Sequence, residues 1–281
     1  MVASERAKRR SPRKCIFCGE GGTPGNPMTE EHLWPEWMHA YLPQIPGMKT
    51  QAGRSRMRPG QLVNQQKIRE GQVFTKRFRL VCKRCDTGWM SSIEEQAKPI
   101  LVPMLQGQRI TLLKNHKIRL AHWIALKVMV MESIDPIDCV ITEFEREDFR
   151  ATRTMPGLMR IFIGTHDLDE WYTGFWHQTL RAHLGSTPPT QTNGLGRFKN
   201  IQTTAFGIGR IFSLSFVTTI QDLGFNPIFG IRKVRRLWPL RDQVIAWPLV
   251  DLSLSEANKL AQCIAELRDS PIARWLPSPS L

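Results

Sequence analysis

No stretch of this 281-residue sequence is long and apolar enough to cross a membrane. A spanning helix needs about 20 apolar residues in a row, and the nearest approach, residues 120–131, is broken by Lys127. The basic N-terminus, MVASERAKRRSPRK, has no apolar core behind it and is not expected to be a secretory signal. No internal repeat of fixed period is present, which argues against a repeat architecture. Acidic residues are scarce, 25 against 39 Lys and Arg, for a net charge of +14 and a pI near 10. Such a field favours polyanions, either nucleic acid or an anionic membrane surface. Disorder is excluded by a 41% hydrophobic content and nine tryptophans, which are those of a chain with a real core.

The charge is concentrated. Residues 1–110 hold 19 Lys and Arg against 9 Asp and Glu, a net of +10, and residues 111–281 hold 20 against 16, a net of +4. Residues 1–14 read as a flexible basic arm with Arg6, Lys8, Arg9, Arg10, Arg13 and Lys14. The sequence EHLWPEWMHAYL starts from a short strand or turn and becomes a helix around Pro35, where a missing N–H costs nothing. Residues 43–72 form a long insertion rich in Gly, Gln, Arg and Pro. QVFTKRFRLVC alternates as a strand and runs into CKRC, and DTGWMSSIEEQA reads as a helix that Pro99 and Pro103 should stop. Residues 119–134 form a strongly apolar helix whose Met and Trp side chains belong to a core. Residues 160–250 alternate short β-like runs with turns. SLSE at 253–256 is a capping box that opens a last helix before a Pro/Ser tail.

Six cysteines are present, and four are paired as Cys15/Cys18 and Cys82/Cys85. Each Cys-x-x-Cys turn can offer two thiolates to one Zn²⁺, and four complete a tetrahedron. In an expected cytoplasmic, reducing setting such pairs bind metal more often than they form disulfides. A four-thiolate site is closed, so the zinc should stabilise the fold while chemistry sits beside it. Cys139 and Cys263 have no such spacing and are expected as small core residues.

Within this frame lies TEEHLWPEW, residues 29–37, and directly after the last cysteine stands Asp86. The order is Cys-x-x-Cys, Glu-His with Pro three residues on, LVC-x-x-C, an acid and a helix. It resembles the zinc-bearing branch of the HNH (His-Me finger, ββα-metal) endonucleases, over residues 15–105. The resemblance implies a small zinc-bound, treble-clef-like ββα-metal domain at 15–110. The apolar helix and the β-like runs that follow predict a larger C-terminal α+β domain at 111–281 with an antiparallel, β-rich core, so the whole chain is expected to be α+β. It implies a DNA endonuclease that hydrolyses phosphodiester bonds with one catalytic Mg²⁺ or Mn²⁺. His32 would be the general base, with Glu31 and Asp86 as metal ligands. The family carries His or Asn where this chain has Asp86, and its middle Asn falls near Arg77, where no Asn stands. Glu94 could serve as a second acid or be held in an ion pair, and His39 could face the same cleft or pack beside Trp34 and Trp37.

The expected partner is double-stranded DNA bound without sequence preference, held by Arg54, Arg56, Arg58, Arg77, Arg79, Lys83 and Arg84, with Lys67, Arg69 and Lys76 nearby. The C-terminal unit would serve partner binding, dimerisation or sensing, with no membrane partner. A bacterial or phage setting, such as antiphage defence, follows from the resemblance alone. The other open readings are a zinc-containing module that binds nucleic acid and cuts nothing, and an assembly protein with the zinc domain as a docking piece.

Overall fold

The computed structural model describes residues 14–42, 49–58, 61–70, 77–134, 139–166, 173–180, 200–219 and 233–263. The basic arm up to residue 13, Lys76, His183 and the Pro/Ser tail lie outside the described residues. The chain is mixed helix and sheet, in keeping with the expected α+β class. Among the described residues no helix is long and apolar enough to cross a membrane.

The N-terminal cysteine turn closes on itself: Cys15 N–H donates to Glu20 O at 2.7 Å and Gly19 N–H to Cys15 O at 3.0 Å. Gly21 has φ +111°, and a Cβ there would sit 2.8 Å from Cys82 Cβ. Only glycine lets the two cysteine turns approach this closely. Strand β1 (Glu31–His32) pairs antiparallel with β4 (Arg77–Phe78), which sets Glu31 opposite Phe78 and His32 opposite Arg77. The expected helix arrives as a 3-10 helix, Glu36–Tyr41, with Pro35 at its start. Between strand and helix, Trp34 is 2% exposed, its ring centroid 5.2 Å from Phe206 and 6.3 Å from Trp123. The Trp-Pro turn is thus a wedge driven into the core of the larger sheet.

After β4 the chain forms α1 (Lys83–Cys85), a wide helical turn over Asp86–Met90, and α2 (Ser91–Leu105). The expected stop at Pro99 and Pro103 is corrected, since both lie inside α2. A proline inside a helix costs about 3 kcal/mol, and burial of Ile93, Ala97, Ile100, Leu101, Met104 and Leu105 along one face offsets it.

Strand β5 (Ile110–Leu112) is followed by α3 (Lys114–Ser133) and α4 (Glu143–Thr152). Every residue of α3 from Trp123 to Ser133 is buried, which makes it a central core helix.

Six longer strands, β2 (Lys49–Arg58), β3 (Gln61–Glu70), β6 (Arg160–His166), β7 (Thr173–Leu180), β8 (Ile201–Ile208) and β9 (Ile211–Thr218), join β10 (Arg235–Trp238) and β12 (Asp251–Leu252) in one sheet. Its order is β10-β6-β9-β8-β7-β2-β3, with β12 paired to β6. The pairs joining β10, β6, β9, β8 and β7 are antiparallel, while β2 runs parallel to β7 and β12 parallel to β6. The insertion over residues 43–72 carries a full hairpin, β2 on β3. One sheet face packs Phe175, Phe206 and Ile208 in a cluster with Trp34 and α3, while the other packs Phe212, Leu214 and Phe216 with Ala257 and Leu260 of α5 (Leu254–Ala261). Helix α5 is capped as expected, Glu256 N–H donating to Ser253 Oγ and Ser253 N–H to Glu256 Oε2. Cys263 is buried, and Cys139 is only half-buried, against expectation.

Strands on both sides of residue 110 share this sheet, and β5 pairs with β11 (Ile245–Trp247). Arg146 on α4 ties the two regions further, its Nε–H donating to Ile16 O at 3.0 Å.

Candidate functional site

The four paired cysteines converge, with all ligand sulfurs within 4.8 Å of one another and Cys18 Sγ 3.6 Å from Cys82 Sγ. A tetrahedron with Zn–S bonds of about 2.3 Å requires sulfurs about 3.8 Å apart, so the set fits zinc. Close packing shifts its thiols in opposite directions. A hydrogen bond from the Cys85 thiol, helped by the backbone N–H groups of Phe17, Cys18 and Cys82 and opposed by burial, pulls Cys15 down to about 5. Burial pushes Cys18 up to about 11. Bound zinc would hold all four sulfurs deprotonated. The ring of Phe17, between Cys15 and Cys18 in the turn, stands edge to face with Trp89 at 4.9 Å.

The tie has a geometric consequence. Cys82 and Cys85 open the helical segment on which Asp86 stands, and Cys15 and Cys18 lie on the turn whose Ile16 N–H is bonded to Leu80 O. Thr29 N–H donates to Val81 O at 2.9 Å, so the approach to β1 is laced to the approach to the second cysteine turn. Glu31 and Asp86 are brought close enough for their carboxyl groups to act on each other across 55 positions of sequence.

This pair belongs to a buried charged cluster. Lys127 of α3 is 0% exposed and puts its Nζ 2.7 Å from Glu94 Oε1 and 3.6 Å from Glu31 Oε1. Burial raises Glu31 to about 8; Lys127 pulls it down, while the hydrogen bond with Asp86 and the charges of Asp86 and Glu94 add to the rise. Burial opposes the Lys127 ammonium, yet the carboxylates of Glu94 and Glu31 outweigh it and hold its affinity for the proton above the usual value. The Lys127 ammonium is therefore fixed between Glu31 and Glu94, and Glu31 lies between that cation and Asp86. Glu31 and Asp86 are two neighbouring hard oxygen donors, the kind that Mg²⁺ or Mn²⁺ takes, and the Lys127 ammonium lies 3.6 Å from Glu31.

His32 faces other neighbours. Arg77 Nε–H donates to His32 Nε2 at 2.8 Å, and Glu36 Oε1 lies 3.7 Å from the same nitrogen. The His39 ring stands edge-on, 6.5 Å from His32 between centroids, and burial, then His32, lower its affinity for a proton. Successive residues of a strand face opposite ways, so Glu31 turns toward α2 and α3 while His32 turns toward β4 and the 3-10 helix. Among the described residues no hydrogen bond or ion pair joins His32 to Asp86.

Of the expected nucleic-acid contacts, Arg77, Arg79, Lys83 and Arg84 are exposed around the centre. Arg84 is engaged with Glu20 at 3.2 Å. Arg54, Arg56 and Arg58 occupy alternate positions of β2, and Lys67 and Arg69 alternate positions of β3 opposite Ala52 and Thr50. The remaining described histidines are structural in their contacts: His116 meets Thr111 O at 3.1 Å, His177 meets Thr204 Oγ1 at 2.9 Å, His122 packs on Phe149, and His166 is buried.

Sequence reasoning missed Lys127 and the part played by Arg77. A lysine inside an all-apolar helix was the available signal for the first, because such a charge is almost never buried unpaired. Compared with protein-family models, with curated proteins and with solved structures, the chain matches none.

Proposed function

We propose that the chain is a zinc-stabilised endonuclease that hydrolyses phosphodiester bonds of DNA with a divalent cation held by Glu31 and Asp86. The observation that carries this reading is the meeting of those two carboxylates beside the four-cysteine centre, with His32 on the same two-residue strand. In this reading β1, β4 and the helix from Lys83 form the ββα-metal unit that the sequence resembles. When bound, Mg²⁺ or Mn²⁺ would supply positive charge against the charge developing on the phosphoryl oxygens.

The chain's own groups do the rest. Lys127 holds Glu31 in place before a cation arrives, and Cys82 and Cys85, which would hold zinc, fix the turn on which Asp86 stands. Exposed Arg77, Arg79 and Lys83 attract the nucleic-acid backbone through counterion release. A water oxygen forms the new bond to phosphorus and gives its proton to the His32 ring. The bond from phosphorus to one sugar oxygen breaks, and that oxygen leaves with a proton from solvent.

The test is supercoiled plasmid incubated with the zinc-loaded protein and Mg²⁺. Nicking should appear, and H32A, with zinc content and circular dichroism unchanged, should abolish it. Nicking that survives in H32A refutes the role of His32. A second reading, a zinc module that binds nucleic acid without cutting it, is favoured by one observation: the His32 nitrogen that would take the proton already accepts a hydrogen bond from Arg77. DNA retardation without any nicking, in Mg²⁺ or Mn²⁺, selects it.

A further inference from the structure

Arg77, opposite His32 across the β1–β4 ladder, donates to the His32 ring. A neutral imidazole has one N–H and one lone pair, on different nitrogens. Arg77 Nε can only donate, and it lies 2.8 Å from His32 Nε2. The lone pair is therefore on Nε2, the ring proton is on Nδ1, and the one basic nitrogen of the ring is covered. A doubly protonated ring would set an N–H of one cation against an N–H of another, so the contact belongs to the neutral form. The other charged neighbour of that nitrogen, Glu36, is 3.7 Å away and lies largely in solvent, outside hydrogen-bond range. The ladder fixes the pairing, since His32 and Arg77 face each other across β1 and β4.

We propose that Arg77 is a positioning residue that caps His32 in the free protein, and that a substrate phosphate removes the cap by drawing the guanidinium onto itself. The guanidinium has five N–H donors in a fork that matches two phosphate oxygens, and a charge-assisted pair of bonds to an anion is stronger than one bond to a neutral ring. Arg77 is exposed, so the exchange needs no opening of the core. The ring keeps its orientation through its own strand, and Nε2 is bared only when a phosphate is beside it. The cap is read from the contact itself. The gating step rests on the proposed role of His32 as a base.

Two-bond ¹H–¹⁵N spectra of histidine-labelled protein test this at one fixed neutral pH, with the His32 signals assigned by their loss in H32Q. The wild-type ring should show the Nδ1–H tautomer. R77M should lose it in favour of the Nε2–H form that free imidazoles prefer, with zinc content and circular dichroism unchanged. R77A serves equally if R77M does not fold. Inorganic phosphate should move the wild-type ring toward the R77M spectrum and leave R77M unmoved. A wild-type ring already in the Nε2–H form, a variant spectrum like the wild type, or a wild-type ring that no tolerated phosphate concentration moves would each overturn the proposal. If the ring responds as expected while plasmid is never nicked, the cap stands and the nuclease reading falls.

Discussion

Replacing Lys127 with methionine would test the buried charged cluster directly, because the swap keeps length and volume and removes the ammonium. Its partners, Glu94 at 2.7 Å and Glu31 at 3.6 Å, are only 18% and 13% exposed. Removing one member of a buried pair costs about 3–5 kcal/mol, because the other charge is left without compensation. Glu31, already raised to about 8, can keep its proton and escape that penalty, which leaves Glu94 as the stranded carboxylate. The expected loss is therefore near the lower end, about 3 kcal/mol, or roughly 6–12 °C in Tm for a chain of this size. The pH dependence has a definite sign. A carboxyl whose folded value is raised contributes stability that is complete below its unfolded value and is lost as pH rises through the folded one. For Glu31 that window runs from 4.5 to about 8. Without the downward pull of Lys127 the window extends higher, so the gap between K127M and wild type should widen above pH 8. Urea unfolding with zinc in excess, at several pH values, reads this. E94Q combined with K127M should recover part of the loss, since the stranded charge is gone. A K127M loss below about 1 kcal/mol, or no coupling to E94Q, would refute the assignment.

Glu132, fully buried against Arg146 at 3.2 Å, is raised by burial to about 7, so it should weaken the fold progressively as pH climbs from 4.5 to about 7. The span corresponds to about 3 kcal/mol, and E132Q should flatten the stability profile across it; an unchanged profile counts against the assignment. Purified protein should hold zinc at unit stoichiometry by atomic absorption, and C82S should lose it and expose residues 14–42 to protease; a zinc-free wild type of full stability would remove the centre. S253A removes the cap of α5 and should cost about 1 kcal/mol by urea unfolding, with no change in zinc content.

The parts of this fold that were legible in the sequence are those where the physics is local. The spacing of Cys15, Cys18, Cys82 and Cys85 announced a four-sulfur centre, Ser253 and Glu256 a helix start, and the apolar run at 119–134 a core helix. Prolines misled, because the cost of Pro99 and Pro103 is local while the burial that outweighs it depends on partners brought in by folding. The hairpin at 49–70 had its signal in the alternation of Arg54, Arg56 and Arg58, a period of two, but its parallel pairing to β7 joins segments more than a hundred residues apart. No local pattern encodes such a register. Lys127 and Arg77 were hidden for the same reason, since each acquires its role only when Glu31 or His32 is laid beside it.

The strand that bears Glu31 and His32 is two residues long, and an isolated pair of such strands would not be stable in water. Its position must come from outside. On one side the Trp34 wedge, pressed between Trp123 and Phe206, fixes the exit from β1 to the large sheet. On the other, the cysteine centre and the Thr29–Val81 bond fix the entry to the turn that precedes Asp86. From below, Lys127 reaches up out of α3 to hold the carboxylate itself. Three anchors on three different elements thus converge on a dipeptide that could not hold its own shape. A Glu-His step is uninformative alone because nothing in two residues constrains where an imidazole and a carboxylate point; here the constraint is supplied by a core tryptophan, a buried lysine and four sulfurs. The cysteine centre and the hydrophobic core are in this sense parts of the site, since the loss of either would free β1 without altering a residue of it.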